Sequence, residues 1–179
     1  MIKEIIFTKK ELSPGNYKNI VTVGLFVKEY DWIENFIYTY NHRLPKSSRN
    51  SSLNYNLANL FFNKEEYEKV IDLLRQVEYR DAFDGLSNRW LLLKTYYELE
   101  EIDAFDALTD SFSILIRRNK ALSERNKQKY LNAVRFISKI MKTGYSGEKA
   151  SESLHKQLSE ARIIIDKRWL LKKLEDKRS

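Results

Sequence analysis

The chain has 179 residues, 42% of them hydrophobic, with five glycines and two prolines; that supplies enough apolar side chain for a core and suits long, uninterrupted helices. It has no cysteine, which excludes disulfides, thiolate nucleophiles and cysteine-based zinc sites. The net charge of +7 is unevenly divided: residues 1–116 hold 14 Lys/Arg and 18 Asp/Glu, residues 117–179 hold 18 and 7, which points to an anionic partner or to self-association. The N-terminal residues lack the apolar stretch and cleavage site of a secretory leader, and no later apolar run approaches membrane-spanning length. A soluble, cytoplasmic chain with no membrane partner is the expectation.

Ser13-Pro14 has the form of an N-cap followed by proline in the first helical position, and predicts a helix to about Lys28. After a turn at Glu29–Asp31, the residues Trp32, Ile33, Phe36, Ile37 and Tyr40 recur at helical spacing until Leu44-Pro45, completing a first hairpin over 13–45. The polar run 45–52 reads as a connection. A second hairpin, 51–82, follows: Leu57, Leu60 and Phe61 mark one helix, and Asn63 with Glu66 is read as the cap of the next, which carries Tyr67, Val70, Ile71 and Leu74.

Gly85 and Ser87 introduce a third hairpin, 86–118, in which Trp90, Leu93, Tyr96 and Tyr97 face Phe105, Leu108, Phe112 and Ile116. The remainder, 123–179, reads as a long helix capped by Ser123 and then capping helices, with breaks at Gly144–Gly147 and near Ile163–Asp166. Residues 1–12 form an N-terminal edge. One period joins these segments: Phe26, Phe61, Tyr96 and Leu131 each stand six residues before Trp32, Tyr67, Ile102 and Ile137, and successive members lie 35 residues apart. A fixed period of that length marks stacked helical hairpins. The predicted fold is therefore all-α, a single right-handed α-solenoid domain spanning 1–179 with about eight helices.

The segment Tyr55-Asn56-Leu57-Ala58-Asn59-Leu60-Phe61-Phe62, followed by Glu65-Glu66-Tyr67 and Val70-Ile71, resembles a tetratricopeptide repeat. The similarity is closest over 51–82 and extends to 17–45 and 86–116. At the two helix–helix contact points of such a repeat, only Ala58 keeps a small residue; Val23/Asn35 and Leu93/Phe105 occupy the matching positions in the flanking segments. Over its whole length the chain also resembles the C-terminal part of longer bacterial helical-repeat proteins of unassigned activity, through Leu12-Ser13-Pro14, Tyr17-Lys18-Asn19 and Arg117-Arg118-Asn119-Lys120. That likeness implies that residues 1–12 are the edge of a preceding repeat.

The tetratricopeptide resemblance implies a concave face lined by the first helix of each hairpin, which places there Tyr55, Asn59 and Phe62, then Lys94 and Tyr97, then Arg125, Lys129 and Asn132. Such a ladder of amides and cations beside aromatics suits a peptide or protein carrying acidic groups, with Lys94 and Lys129 as anion anchors. The alternative is nucleic acid held through Arg117, Arg118, Lys120, Arg135, Lys139 and Lys142. The last three are expected as an unpaired cationic strip opposite the apolar stripe of the long helix, with Tyr130 and Phe136 turned toward the core. A homo-oligomer is a further expectation. His42 and His155, the only histidines, stand on different hairpins without a carboxylate at ligand spacing. The acids Asp81, Asp84, Glu98, Glu100, Glu101, Asp103 and Asp106 lack the Gly-centred spacing of a calcium loop. Gly144–Gly147 has the outline of an RNA-binding Gly-x-x-Gly clamp without the strands of that module. A non-enzymatic chain with no catalytic set, metal or cofactor is expected.

Overall fold

The computed structural model describes residues 12–75, 82–143 and 148–177. Among them are nine α-helices and no strand: α1 Pro14–Phe26, α2 Tyr30–Tyr40, α3 Arg49–Asn63, α4 Tyr67–Arg75, α5 Ala82–Glu98, α6 Ile102–Arg118, α7 Glu124–Thr143, α8 Glu148–Glu160 and α9 Lys167–Asp176. The all-α class read from the sequence is found. The chain divides into two compact units, Met1–Glu100 and Glu101–Ser179. The border falls in the turn between α5 and α6, so the two helices of the predicted 86–118 hairpin belong to different units.

In the first unit α1 begins as its sequence dictates: Ser13 Oγ accepts the Asn16 N–H at 3.2 Å, and Pro14 fills the first helical position. The helix ends in a Schellman motif. The Lys28 N–H returns to Leu25 O and the Glu29 N–H to Gly24 O, with Lys28 left-handed at φ 62°. The α3–α4 turn repeats this pattern, Glu65 N–H to Phe62 O and Glu66 N–H to Phe61 O, with Glu65 at φ 63°. The turn after α5 shares its first bond, Glu100 N–H to Tyr97 O, with Glu100 at φ 56°.

These turns fix the true correspondence between segments. From Lys28 to Glu65 is 37 residues and from Glu65 to Glu100 is 35, so the uniform 35-residue register is two residues out in the first hairpin. The helix starts that correspond are Tyr30, Tyr67 and Ile102; Trp32 lies two residues further in and is exposed, as are Val23 and Asn35. In the corrected register the helix contact points of the first two hairpins become Val21/Ile33 and Ala58/Val70, and all four residues are buried; Leu93 and Phe105 are each buried in their own unit. The fourth member of the period, Leu131 and Ile137, lies within the unbroken helix α7.

Two start signals are also reassigned. Asn63 is the last residue of α3, where its amide donates to Asn59 O, and the left-handed turn at Glu65 separates it from α4. Gly85 and Ser87 lie inside α5. Asp81, the side chain of Asp84 and Gly144–Gly147 lie outside the described residues.

Within this unit α1 touches α2 and α3, α3 touches α2, α4 and α5, and α4 touches α5. Tyr17, Val21, Ile33, Phe36, Ile37, Leu57 and Leu60 form the shared core. Tyr17 is fully buried, and its hydroxyl donates to Ile37 O at 2.6 Å. The connection after α2 tightens into a 3₁₀ turn, Asn41–Arg43, and the Arg49 guanidinium holds the carbonyls of His42 and Leu44 at 2.6 and 3.0 Å. Lys64 pairs with Glu34 at 2.7 Å, and the carboxylate holds that ammonium above its ordinary range.

In the second unit α7 touches α6, α8 and α9, and α8 touches α9. Ser123 caps α7 as predicted, its Oγ accepting the Asn126 N–H at 3.3 Å. The helix buries Ala133, Val134, Phe136, Ile137 and Ile140, while α8 contributes Leu154 and Leu158 and α9 contributes Leu170 and Leu174. The break expected near Ile163–Asp166 is present: α8 stops at Glu160, Asp166 turns left-handed at φ 48°, and the Lys167 ammonium donates to the carbonyls of Ser159 and Ala161.

A non-glycine residue in the left-handed region costs about 1–2 kcal/mol, partly offset by the greater unfolded-state entropy of glycine. Glu65→Gly should therefore raise stability by about 0.5–1 kcal/mol in urea unfolding. Burial raises the phenol pKa of Tyr17; burial, then the charges of Glu98 and Glu65, does so for Tyr67. Both groups favour the folded state below the unfolded tyrosine pKa of about 10, and that contribution is lost as pH rises beyond it. Alkaline unfolding should set in there. Tyr17→Phe should cost about 1 kcal/mol at neutral pH and flatten the alkaline fall.

Candidate functional site

Helices α1, α3 and α5 lie side by side in the first unit, each in contact with the next. Their N-terminal halves enclose a cavity of about 100 Å³ lined by Pro14, Gly15, Lys18, Ser51, Ser52, Tyr55 and Asn88. Its described lining holds one cation, three hydroxyls, an amide and an aromatic ring, and no acid.

Lys18 is the centre of this group. Its ammonium stands 4.5 Å from the centroid of the Tyr55 ring and donates to Ser87 Oγ at 3.3 Å. The aromatic face stabilises the cation, while Ser87 occupies one of its three donors. At the start of α1 the Asn16 and Tyr17 N–H groups are taken by Ser13, and proline has none. The Gly15 N–H is left with no partner among the described residues, at the positive end of the helix dipole and beside no side chain of its own. Asn88 is 2% exposed, and its amide nitrogen has no hydrogen-bond partner among the described residues. Unpaired donors around a half-buried cation suit a small anionic group.

The predicted groove residues fall differently. Tyr55 lines the cavity. Asn59 is half-buried, and its amide donates to Tyr55 O; Thr22, the residue 37 earlier, makes the matching bond to Lys18 O. Phe62 and Tyr97 are only 8% and 5% exposed, so they serve as core rather than as open packing surface. Lys94 is half-buried, with its ammonium 4.8 Å over the Phe62 ring. Lys18 was missed because the uniform 35-residue register sets Ile20 opposite Tyr55 where the turns set Lys18; Ser51 and Ser52 fall in the polar run read as a connection, and no sequence signal marks Asn88.

In the second unit Arg125 is exposed and Lys129 half-buried. Asn132 has a structural role: its amide donates to Ile163 O at 2.8 Å and its carbonyl accepts from Gln128, which ties α7 to the loop before α9. Arg117, Arg118, Lys120, Arg135, Lys139 and Lys142 are all exposed. Tyr130 packs edge-on against Phe112, and Phe136 is buried, so both turn inward as the sequence predicted. His155, expected to lack a carboxylate neighbour, has Nε2 3.7 Å from Glu175 Oε1 across α8 and α9. Exposed His42 offers its carbonyl to Arg49. Among the described residues no three His, Asp or Glu side chains gather as a metal site, and no helix is long and apolar enough to cross a membrane.

No family model, curated protein sequence or solved structure matches the chain.

A buried amide without a partner costs folding free energy. Asn88→Leu should therefore leave urea stability unchanged or raise it by about 1 kcal/mol. A loss of about 2 kcal/mol or more would mean that the amide is part of the fold's own hydrogen bonding.

Proposed function

We propose that this chain is a non-enzymatic protein-interaction module of the cytoplasm, a scaffold that takes a peptide or protein with acidic groups along the face of α1, α3 and α5. The observation that carries this reading is the Lys18–Tyr55–Asn88 cavity, in which a half-buried cation and unpaired donors converge with no acid among the described lining residues. One ammonium matches one carboxylate in charge. The hydroxyls and the amide can satisfy its remaining lone pairs, and the Tyr55 ring gives a rigid apolar wall. Lys94, which stands 35 residues after Asn59 and so at its equivalent place on α5, extends the cationic character along the same face, and Lys129 is the further anchor proposed for the second unit.

The proposed architecture is a right-handed α-solenoid of tetratricopeptide-like hairpins. It is supported in the first unit by the shared turn geometry and by each first helix touching the next. A second reading is favoured by the six exposed cations Arg117, Arg118, Lys120, Arg135, Lys139 and Lys142: a nucleic-acid-binding surface. The inward-facing Tyr130 and Phe136 leave it without stacking platforms on α7.

Fluorescence anisotropy with labelled Glu/Asp-containing peptides, their Gln/Asn counterparts and an oligonucleotide distinguishes these readings. The acidic peptides should bind, and their neutral counterparts at least tenfold more weakly. Lys18→Glu should cost a further factor of about ten, or 1.4 kcal/mol, and Lys94→Glu/Lys129→Glu should weaken binding as well. Equal binding of acidic and neutral peptides would remove the carboxylate reading. Oligonucleotide binding whose log–log salt slope is about −0.7 to −0.9 per phosphate, lost on replacing Arg135, Lys139 and Lys142, would establish the second reading.

A further inference from the structure

The cavity at Lys18 lies where two helices begin. Pro14 and Gly15 are the first two residues of α1, and Ser51 and Ser52 the third and fourth of α3. Both helices therefore bring the positive end of their dipole to the same small space. Four other helices meet that end with an acid: α2, α4, α6 and α7 carry Asp31, Glu68, Asp103 and Glu124 in their first turns. The first turns of α1 and α3 carry none, and no side chain caps α3.

Two features of the lining are independent of the helix ends. Asn88 reaches the cavity from α5, buried and with its amide nitrogen unpartnered among the described residues. The Lys18 ammonium stands over Tyr55 with Ser87 taking one of its three protons. A buried amide left unpaired carries a cost that a ligand oxygen would remove.

Charge decides which anion suits the space. A helix end is worth roughly half an elementary charge, so two ends and one ammonium present roughly two positive charges. A carboxylate brings one negative charge, and so does a phosphodiester. A phosphate monoester brings about 1.5 to 2 at neutral pH. Its three outer oxygens also accept more hydrogen bonds than the two of a carboxylate, and the donors here are many: the Gly15 N–H, the Asn88 amide, the Ser52 hydroxyl and the remaining protons of Lys18. Size sets how the group arrives. A cavity of about 100 Å³ is well below the roughly 300–1,000 Å³ of a pocket that encloses a whole small molecule, so it takes a group presented at the end of a longer chain.

We propose that the acidic group received here is a phosphate monoester, the phosphorylated side chain of a partner peptide, resting on the reading that this cavity is where the partner's acidic group docks. Gly15 gives it access: without a side chain, its N–H is uncovered, and the space beside it is open. The Tyr55 ring holds the Lys18 ammonium in place for the same group.

Titration of phosphoserine, glutamate and serine, each with its amine acetylated and its carboxyl amidated, into the full isotope-labelled chain tests this by amide NMR signals. Capped phosphoserine should move the Gly15 and Ser52 signals along a saturable curve. Capped glutamate should bind about tenfold more weakly, and capped serine should leave the signals unmoved. Gly15→Asp sets an acid in the first turn of α1, where a side chain meets open space and the dipole favours it. That variant should fold as the wild type does by circular dichroism and weaken the Ser52 response to phosphoserine about tenfold. Lys18→Met, which keeps an apolar stem beside Tyr55, should weaken it as well. Equal affinity for glutamate and phosphoserine overturns the phosphate assignment and leaves the carboxylate reading standing, whereas silence of these signals toward both anions overturns both. A response that survives Gly15→Asp and Lys18→Met places the anion elsewhere and overturns the site. Inorganic phosphate binding more tightly than capped phosphoserine overturns the side-chain source.

Discussion

The first unit depends on a backbone constraint, the left-handed residue that ends α1 and α3 and recurs after α5. Lys28, Glu65 and Glu100 each take a conformation that costs a side chain about 1–2 kcal/mol, and each does so two residues past a helix end. In return the N–H groups of Lys28 and Glu65, and of the residue after each, close onto carbonyls one turn back. The following helix starts four residues after the previous one stops, directed back along it. Val21 and Ala58 on the first helices, and Ile33 and Val70 on their partners, are then carried into the core. Without that turn the apolar stripes would have no defined direction in which to meet.

Much of this was legible in the chain. Ser13-Pro14 and Ser123 act as caps because a hydroxyl and a missing N–H have the same meaning in any helix start. The break before α9 shows as a change of stripe register. What misled was the turn between α1 and α2. A left-handed residue that is not glycine leaves no mark in the sequence, so Lys28 read as helix and the turn was placed two residues too late. Every first-hairpin position that depends on that register moves with it: Tyr30 replaces Trp32 as the helix start, Val21 and Ile33 replace Val23 and Asn35 as contact points, and Lys18 replaces Ile20 opposite Tyr55. Asn63 failed as a cap for a related reason, since its amide bonds backward to Asn59 O instead of forward to a new helix.

The candidate site illustrates how aromatic residues divide between two roles. Phe62 and Tyr97 carry too much apolar area to remain on a surface when neighbouring helices offer burial, and the fold takes them in. Lysines then cover part of the rings that remain near the surface: Lys94 over Phe62 and Lys18 over Tyr55. Their apolar stems reach across ring and helix while the ammonium groups stay within reach of solvent or a ligand. Cations so placed lose less side-chain entropy on meeting an anion than freely extended lysines do, which is the physical basis of preorganisation.

The short turns also set how the chain reaches its native state. The helix pairs with the most extensive contact, from α1 with α3 to α7 with α9, are separated in sequence by one intervening helix at most, although the Lys18–Ser87 hydrogen bond spans 69 residues. Most native contacts therefore close a modest length of chain, and the entropy lost before they form is small. Topologies of this kind fold quickly, because local pairings can form before distant ones are needed. The same arrangement makes the molecule's cooperativity local. A hairpin is held mainly by its immediate neighbours, so amide exchange should be fastest at the outward ends of each unit and slowest in the helices flanked on both sides, α3 in the first unit and α7 in the second.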